Sequence, residues 1–164
     1  MGDEGGKRGA GEHLRPFHAV DLASLHSMIC HTIDVSYSDV YPVRAVQFFK
    51  EYHSEKRIME RNETGEVLIM ENDGTIVATG ALVGNEIQGV FVRPDCQGRG
   101  YGKILMAELE KRAKAREIRK IELSISLPSR KFYETLGYEV LAERSEDVGE
   151  GQYLNYWPGE KALL

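Results

Sequence analysis

Residues 90–109 read VFVRPDCQGRGYGKILMAEL, in which Gly98, Gly100 and Gly102 alternate with other residues. An apolar run precedes these glycines, and a charged segment with helical spacing follows them. A glycine inside an element costs roughly 0.5–1 kcal/mol relative to alanine, because its backbone loses more freedom on folding. Three glycines so close together therefore indicate a loop between a strand and a helix whose shape side chains would obstruct.

The position of this loop predicts a site that binds phosphate through backbone amides. The first N–H groups of a helix have no partner within the helix, and the helix dipole adds partial positive charge there. Glycines remove the side chains that would keep a phosphate away, and Arg99 and Lys103 add positive charge. A glycine-rich turn that only starts a helix is the alternative.

Two other glycine-rich phosphate motifs do not fit this loop. A P-loop needs glycine at position 97, which is Gln97, and Ser or Thr after Lys103, where the chain has Ile104. A dinucleotide fingerprint needs glycine at position 103. These mismatches count against a nucleotide-binding protein of another fold.

Composition limits the class of protein. A chain of 164 residues is long enough for one domain with a sizeable core. Its net charge of −5 argues against binding nucleic acid by charge alone, and no segment approaches the 18 apolar residues of a membrane span. The glycine-rich, charged start lacks the apolar core of a signal peptide. We expect a disordered tail over residues 1–11, a single domain over residues 12–164 and a cytoplasmic location.

The two cysteines predict neither a metal site nor a nucleophile. Cys30 and Cys96 lie far apart, and neither belongs to a CxxC motif. Cys96 lies beside the glycine loop, but no histidine follows it nearby to activate it. We therefore expect no bound metal and interpret Cys96 as an ordinary loop thiol.

The first half of the chain predicts a short strand, two helices, a hairpin and a further strand. The strand covers residues 13–15, and the helices start at about residue 19 and cover about 43–61. Asp73-Gly74 suits a type I′ turn between two β-rich runs. In the strand EIQGVFV, Gly89 predicts a bulge.

The second half predicts a long helix, a strand, a short helix and a closing pair of strands. The helix covers about residues 101–116, and KIELSISL alternates as a half-buried strand does. SRKFYETLG fits a short helix with Ser129 as its N-cap and Gly137 after its end. YEVLAER and QYLNYW predict an antiparallel pair. The resulting order is β-α-α-β-β-β-α-β-α-β-β, an α/β (α+β) arrangement with helices on the faces of a mixed sheet.

Two motifs carry a resemblance to a known family. The hexapeptide from Gln97 to Gly102 is similar to the Q/R-x-x-G-x-G/A signature of the GNAT superfamily of acyl-CoA-dependent N-acyltransferases, and RKFYETLGYEV resembles the later family motif that ends in FYxxxGF. Element order and spacing agree from about His13 to Trp157. The chain departs from the family in LPSRKF, which lacks the usual Asn contact. The resemblance implies a single GNAT-like domain whose mostly antiparallel sheet splays between its fourth and fifth strands.

The resemblance also implies that acetyl-CoA is the co-substrate. Family members hold the pyrophosphate on the amides of the signature loop and pair the pantetheine arm with the fourth strand. By position, these cofactor-binding residues would be Phe91, Val92, Gln97, Gly98, Arg99, Gly100, Gly102 and Lys103. The implied reaction is acetyl transfer to a primary amine, of a small molecule or a peptide, in a ternary complex. A non-catalytic acyl-CoA-binding regulatory module is the alternative.

The resemblance implies two catalytic residues, Glu86 and Tyr133. An amine with a pKa of about 10.4 is protonated at pH 7, and freeing its lone pair costs roughly 4–5 kcal/mol. Glu86 would be the base that accepts this proton, often through water, and Tyr133 would supply a proton or hydrogen bond to the departing thiolate. A backbone N–H near Val92 would meet the oxyanion. A solvated glutamate and a purely packing tyrosine are the respective alternatives.

The amine acceptor is not specified by these motifs. The resemblance implies that the first two helices and the late strands wall the acceptor cleft, which would place Tyr37 and Tyr41 near it. Aromatic and acidic side chains together favour a cationic amine, such as a polyamine, an aminoglycoside or a lysine side chain. We expect no nucleic acid or membrane partner, and a homodimer is left open.

Overall fold

The computed structural model describes residues 11–164, which form an eight-stranded sheet with helices on both faces. The strands are β1 (Glu12–Pro16), β2 (Glu66–Asn72), β3 (Thr75–Val83), β4 (Glu86–Val92), β5 (Lys120–Ser126), β6 (Glu139–Val140), β7 (Arg144–Gly149) and β8 (Gln152–Ala162). The α-helices are α1 (Leu22–Tyr37), α2 (Val43–Tyr52), α3 (Glu55–Thr64), α4 (Tyr101–Ala115) and α5 (Arg130–Thr135). Residues 1–10 of the predicted disordered tail lie outside this description. None of the described helices has the length and apolar character needed to cross a membrane.

The sheet has the order β1-β2-β3-β4-β5-β8-β6, with β7 paired to the other end of β8. All neighbouring strands are antiparallel except β4 and β5. Alternate side chains of β2 point to opposite faces, so Leu68 and Met70 enter one core and Val67 and Ile69 the other. The first core packs against α4 and α5, and the second against α1, α2 and α3. The predicted mixed sheet with helices on both faces is confirmed.

A tight turn joins β2 to β3. Asp73 and Gly74 have φ angles of +50° and +79°, and a type I′ turn requires positive φ at both central residues. Asn72 and Thr75 are paired on either side of it. The predicted Asp-Gly hairpin is therefore confirmed.

Strand β4 carries the bulge that the sequence predicts at Gly89. Thr79 pairs with Phe91 and Ala81 with Gln88, so two residues of β4 stand opposite one of β3. Gly89 has a φ of +61°, which a glycine adopts without steric cost. Beyond the bulge β4 leaves its other neighbour, because its pairing with β5 consists of Glu86 with Glu122 alone. The predicted splay between the fourth and fifth strands is confirmed.

The single helix predicted over residues 43–61 is wrong, since α2 and α3 are separate. Ser54 accepts a hydrogen bond from the Arg57 N–H at 3.3 Å and caps α3. The backbone of His53 leaves the helical region, with φ −110° and ψ 32°. A side chain that caps a new helix competes with continuation of the old one. The break places His53 at the end of α2, facing the sheet.

Two smaller predictions in the second half are correct only in part. The closing strands number three, because β8 pairs with β6 near Gly159 and with β7 along residues 152–156. Ser129 takes the predicted N-cap position of α5, but its hydroxyl bonds to the Ser126 hydroxyl at 2.7 Å and caps no backbone N–H of the helix. Gly137, with φ +91°, follows the end of α5 as predicted.

Candidate active site

Two cavities lie along β4 and share several lining residues. One, of about 600 Å³, runs beside the end of β4 and the start of α4 and is lined by residues 90–92, 97, 98 and 100–103 among others. The other, of about 170 Å³, runs beside the start of β4 and is lined by residues 86–91 together with side chains of α2, β7 and β8. We call them the loop cavity and the aromatic cavity. Both are lined by Tyr37, Val90, Phe91, Ser129 and Tyr133.

The glycine loop presents a run of free amides to the loop cavity. Within the described chain, the N–H groups of residues 98–103 donate no hydrogen bond to another backbone group, and no side chain caps α4. Residues 97–100 are exposed, and α4 begins at Tyr101. Consecutive unpaired amides at a helix N-terminus form a site for an anion such as phosphate. The loop therefore has the geometry that the sequence predicts.

The glycines of this loop serve two different purposes. Gly98 and Gly100 have φ angles of +81° and +85°, and a Cβ on either would meet nothing within 4 Å. These two residues are therefore glycines because of their positive φ angles and because they leave the space in front of the loop open. At Gly102 a Cβ would lie 2.9 Å from Cζ of Phe132, so this glycine lets α4 pack closely against Phe132 at the start of α5.

The backbone of β4 next to the loop cavity points in alternate directions. The Arg93 N–H donates to the Val77 carbonyl oxygen at 2.8 Å, so Arg93 and, two residues earlier, Phe91 face β3. Val92 therefore presents its N–H and C=O on the side where β4 and β5 diverge. Its carbonyl accepts a hydrogen bond from Nε2 of Gln97 at 3.1 Å. For Phe91 this arrangement favours a side-chain role, because its ring lines both cavities.

Tyr133 lies where the two cavities meet. Its side chain is 7% exposed, and its hydroxyl has no hydrogen-bond partner among residues 11–164. Burial, and to a smaller extent the neighbouring Tyr37, raises the pKa of Tyr133 above that of an ordinary tyrosine. The phenol therefore stays protonated and is available as a hydrogen-bond donor to a group at the junction of the cavities.

A short chain of hydroxyl groups stands beside Tyr133. The Tyr37 hydroxyl donates to Oγ of Ser126 at 3.1 Å, and Ser126 is hydrogen-bonded to Ser129 at 2.7 Å. Tyr37 and Ser129 line both cavities, whereas Ser126 lines the aromatic cavity. This chain of hydroxyl groups links α1 to the end of β5 and fixes the position of the Tyr37 ring.

Two carboxylates line the aromatic cavity. Glu86 is half-buried at the start of β4, and Glu146 is exposed on β7. The remaining walls are mainly aromatic, with the rings of Phe48, Phe49, Tyr52, Phe91 and Tyr156. The cavity thus combines negative charge with ring faces, two features that attract a cation.

The structure does not bring Tyr41 to either cavity. Its hydroxyl donates to the Asn155 carbonyl oxygen at 2.9 Å and accepts from the Leu127 N–H at 2.8 Å. The hydroxyl thus both donates and accepts, and it joins the α1–α2 connection to β8 and to the turn that follows β5. The sequence placed Tyr37 and Tyr41 together near the acceptor, but only Tyr37 faces the cavity.

His53 and Arg61 are site residues that the sequence analysis missed. His53 lines the aromatic cavity at the end of α2, and Nη1 of Arg61 lies 3.0 Å from its Nδ1. Both side chains are buried, at 6% and 7% exposure. The single helix predicted over about residues 43–61 placed His53 among its apolar, core-facing positions, so the sequence did not identify it as a site residue. The pattern Ser54-Glu55-Lys56-Arg57, a capping residue before a charged turn, could have indicated a helix end beside it.

Comparison with known proteins agrees with this architecture. The chain matches the Acetyltransferase (GNAT) family over residues 28–138. It is similar to a solved GCN5-related N-acetyltransferase from Rhodopseudomonas palustris, with 24% identity, a TM-score of 0.84 and coverage of 94% of this chain and 97% of that one. No curated protein sequence matches it.

Two further solved structures are similar at lower identity. The PaiA N-acetyltransferase of Thermoplasma acidophilum, in complex with coenzyme A, is 19% identical with a TM-score of 0.74, covering 94% of this chain and all (100%) of that one. A ribosomal-protein-alanine N-acetyltransferase from Brucella melitensis is 19% identical with a TM-score of 0.71, covering 92% and 99%. Identities this low show a shared fold. The family match spans the glycine loop, strands β2 to β5 and Tyr133, and from it we conclude that the chain belongs to the acetyltransferase (GNAT) family of acyltransferases.

Proposed function

We propose that this protein transfers an acetyl group from acetyl-CoA to a primary amine while both are bound. The observation that carries the proposal is the meeting of two cavities at Tyr133, one built around free amides and the other around carboxylates and rings. Such an arrangement suits a phosphate-bearing donor and an amine acceptor that enter from opposite ends of β4. Direct attack in a ternary complex then requires no covalent acyl-enzyme.

The loop cavity fits coenzyme A by the chemistry of its donors. The amides of residues 98–103 would hold the pyrophosphate, and Arg99 and Lys103, both exposed, would add positive charge. The edge of β4 at Val92 would pair with the amide-containing pantetheine arm, whose access the splay from β5 provides. The similarity to the PaiA enzyme solved with coenzyme A supports this assignment.

Three residues that line the two cavities have distinct chemical roles. Bound acetyl-CoA would supply the acetyl group as a thioester. Glu86 accepts the proton that the amine must lose, directly or through water, as the nitrogen attacks the carbonyl carbon. The Val92 N–H donates to the carbonyl oxygen as negative charge develops on it. The new C–N bond forms as the C–S bond breaks, and the Tyr133 hydroxyl donates a hydrogen bond to the departing sulfur.

The role of Tyr133 follows from its environment. A free thiol has a pKa of about 8.5 and a free phenol about 10, so full proton transfer from the phenol to the thiolate is already uphill. Burial raises the pKa of Tyr133 further, which makes that transfer still less favourable. Tyr133 therefore acts as a fixed hydrogen-bond donor, and the sulfur takes its final proton from solvent or from the base.

The ligand test is thermal unfolding of the purified protein with acetyl-CoA or ATP, followed by measurement of CoA release with amines. A ligand at 100 times its Kd adds about 2.7 kcal/mol of stability. For a domain of this size we expect the midpoint to rise by roughly 5–10 °C with acetyl-CoA and to stay unchanged with ATP. A shift with acetyl-CoA but no CoA release with any amine would instead support a non-catalytic acyl-CoA-binding module.

Replacement of the proposed base, Glu86→Gln, should lower kcat about 100-fold at pH 7, because the amine then has no carboxylate to accept its proton. The decrease in kcat relative to the wild type should become smaller as pH rises toward the pKa of the acceptor amine, since more of the amine is then unprotonated. Steady-state rates of CoA release from pH 6 to 10 measure both effects.

The matched control is Glu146→Gln, which removes the other carboxylate lining the same cavity. Glu146 is exposed on β7, so we expect its loss to affect KM more than kcat. Equal losses of kcat in the two variants, with the same dependence on pH, would indicate a general effect of negative charge and would remove Glu86 from the role of base.

A further inference from the structure

A buried guanidinium lies behind the aromatic cavity. Arg61 of α3 donates from Nε to Oε1 of Gln88, from Nη2 to the Tyr52 carbonyl oxygen and from Nη1 to Nδ1 of His53, each at 3.0 Å. Its carbon Cζ also stands 5.2 Å from the centre of the Tyr52 ring. None of the ion pairs in the described part of the chain involves Arg61, although the charge of Glu86 acts on it.

The bulge in β4 makes room for this arrangement. A Cβ at Gly89 would lie 3.0 Å from Nη1 of Arg61 and 3.6 Å from Nδ1 of His53. A side chain at this position would therefore push the guanidinium away from the imidazole. The bulge thus lets the Arg61–His53 pair lie close to β4, the strand along which both cavities run.

The contact with Arg61 determines which nitrogen of His53 carries the proton. A guanidinium has only N–H donors, so Nδ1 must present its lone pair to Arg61. A neutral imidazole then carries its proton on Nε2. Burial, and the positive charge of Arg61, hold the pKa of His53 well below the usual value for histidine, so the ring stays neutral. In this tautomer His53 cannot accept a proton from the acceptor amine.

The other ring nitrogen is available to a ligand. Nε2 of His53 has no hydrogen-bond partner among residues 11–164, and the ring lines the aromatic cavity between Tyr52 and Phe91. Both rings meet it edge-on, at centroid distances of 5.0 and 4.8 Å, which fixes the imidazole plane. The imidazole of His53 is thus a rigidly held N–H donor beside the positive charge of Arg61, in a cavity that is also lined by carboxylates.

We propose that His53 donates from Nε2 to a carbonyl or carboxylate oxygen of the acceptor. This inference rests on the proposed acetyl transfer and specifies its acceptor. Because the His53 ring lies 4.8 Å from the ring of Phe91, which lines both cavities, an oxygen bound to His53 is separated from the reacting nitrogen by only a few bonds. Amino acids and peptide N-termini carry a carbonyl carbon next to the carbon that bears the amine. The acceptor is therefore an α-amino carbonyl compound rather than a polyamine or a simple alkylamine.

The test compares two acceptors, L-alaninamide and isopropylamine, in which a methyl group replaces the carboxamide. In His53→Leu, kcat/KM for alaninamide should fall about 10- to 100-fold, as expected when a buried hydrogen-bond partner is removed. For isopropylamine it should change by less than about 3-fold. For each acceptor, kcat/KM of the variant is divided by that of the wild type, so the different basicities of the two amines cancel. An equal fall for both acceptors, or none for alaninamide, would overturn the inference.

Two controls separate this inference from folding and from the proposed function. His31→Leu changes an exposed histidine on α1 and should leave both acceptors unaffected. His53→Gln retains a side-chain N–H donor and should recover part of the discrimination lost in His53→Leu. Unchanged discrimination between the two acceptors in His53→Leu, with turnover by the wild type intact, removes only the role of His53. Failure of the wild type to release CoA with any amine removes the proposed transfer and this inference together.

A measurement without turnover addresses the tautomer directly. Nitrogen-15 NMR of the histidine side chains in the intact protein distinguishes a protonated from an unprotonated ring nitrogen. We expect one histidine with its proton on Nε2 and a bare Nδ1, and we expect Arg61→Met to abolish that fixed state. A proton on Nδ1 of His53 in the wild type would contradict the proposed donor.

Discussion

Tyr133→Phe should lower kcat for acetyl transfer by about 100- to 1,000-fold, the range typical for loss of a donor aimed at developing charge. The variant removes one hydroxyl and keeps the ring that lies 5.0 Å from Phe132 and 5.7 Å from Tyr138. Packing is therefore preserved, and acetyl-CoA should bind with an affinity within about 3-fold of the wild type. Single-turnover rates and equilibrium binding of acetyl-CoA measure the two quantities separately.

Tyr138→Phe is a closely matched control for this variant. Tyr138 belongs to the same motif, is buried at 4% exposure and has a hydroxyl that is also unpaired within the described residues. It does not line either of the two cavities. Removing a buried, unpaired hydroxyl should leave turnover unchanged and stability equal or slightly higher. Near-normal kcat in Tyr133→Phe would remove Tyr133 from the mechanism, and an equal loss in both variants would indicate a packing effect.

Gly100→Ala should weaken acetyl-CoA binding about 10- to 100-fold by placing a methyl group where the loop amides face the phosphates. A Cβ there meets no protein atom within 4 Å, so the new group enters the loop cavity rather than the core. The φ of +85° also strains an L-residue, at a cost of about 1–2 kcal/mol. Titration calorimetry with acetyl-CoA and thermal unfolding of the free variant measure the two effects.

Gly74→Ala separates backbone strain from ligand contact. Gly74 has a φ of +79°, and a Cβ there also meets nothing within 4 Å, but it lies in the β2–β3 turn away from both cavities. Both variants should lose similar stability, and only Gly100→Ala should lose affinity for acetyl-CoA. Unchanged affinity in Gly100→Ala would mean that the glycine loop does not hold the phosphates.

Local patterns in the sequence were enough to predict much of this fold. The glycine loop, helix α4 and the Asp73-Gly74 turn each depend on backbone conformations that nearby residues specify. The alternation in β5 and the bulge at Gly89 are likewise short-range features. Because the free amides of residues 98–103 follow from the start of a helix after glycines, the amino-acid sequence alone is enough to locate the candidate phosphate site.

The prediction was wrong where two local tendencies competed. Residues 43–61 have apolar positions at helical spacing throughout, yet Ser54 caps a new helix inside this segment. A hydroxyl cap is worth about 1 kcal/mol, which favours the start of a new helix at Ser54. Packing of α2 and α3 against the same core, in which Ala45 and Ile58 are both buried, decides between the two states.

The strand–loop–helix order and the second motif with Tyr133 are determined by the sequence, because neighbouring residues set backbone conformation and hydrophobic period. The acceptor side is decided only by tertiary structure. Tyr37 faces the cavity while Tyr41, four residues later, bonds to Asn155 and Leu127, and no local rule distinguishes them. The His53 tautomer likewise depends on Arg61 of the next helix and the bulge at Gly89. These contacts join residues distant along the chain, so they exist only once the sheet and helices have packed.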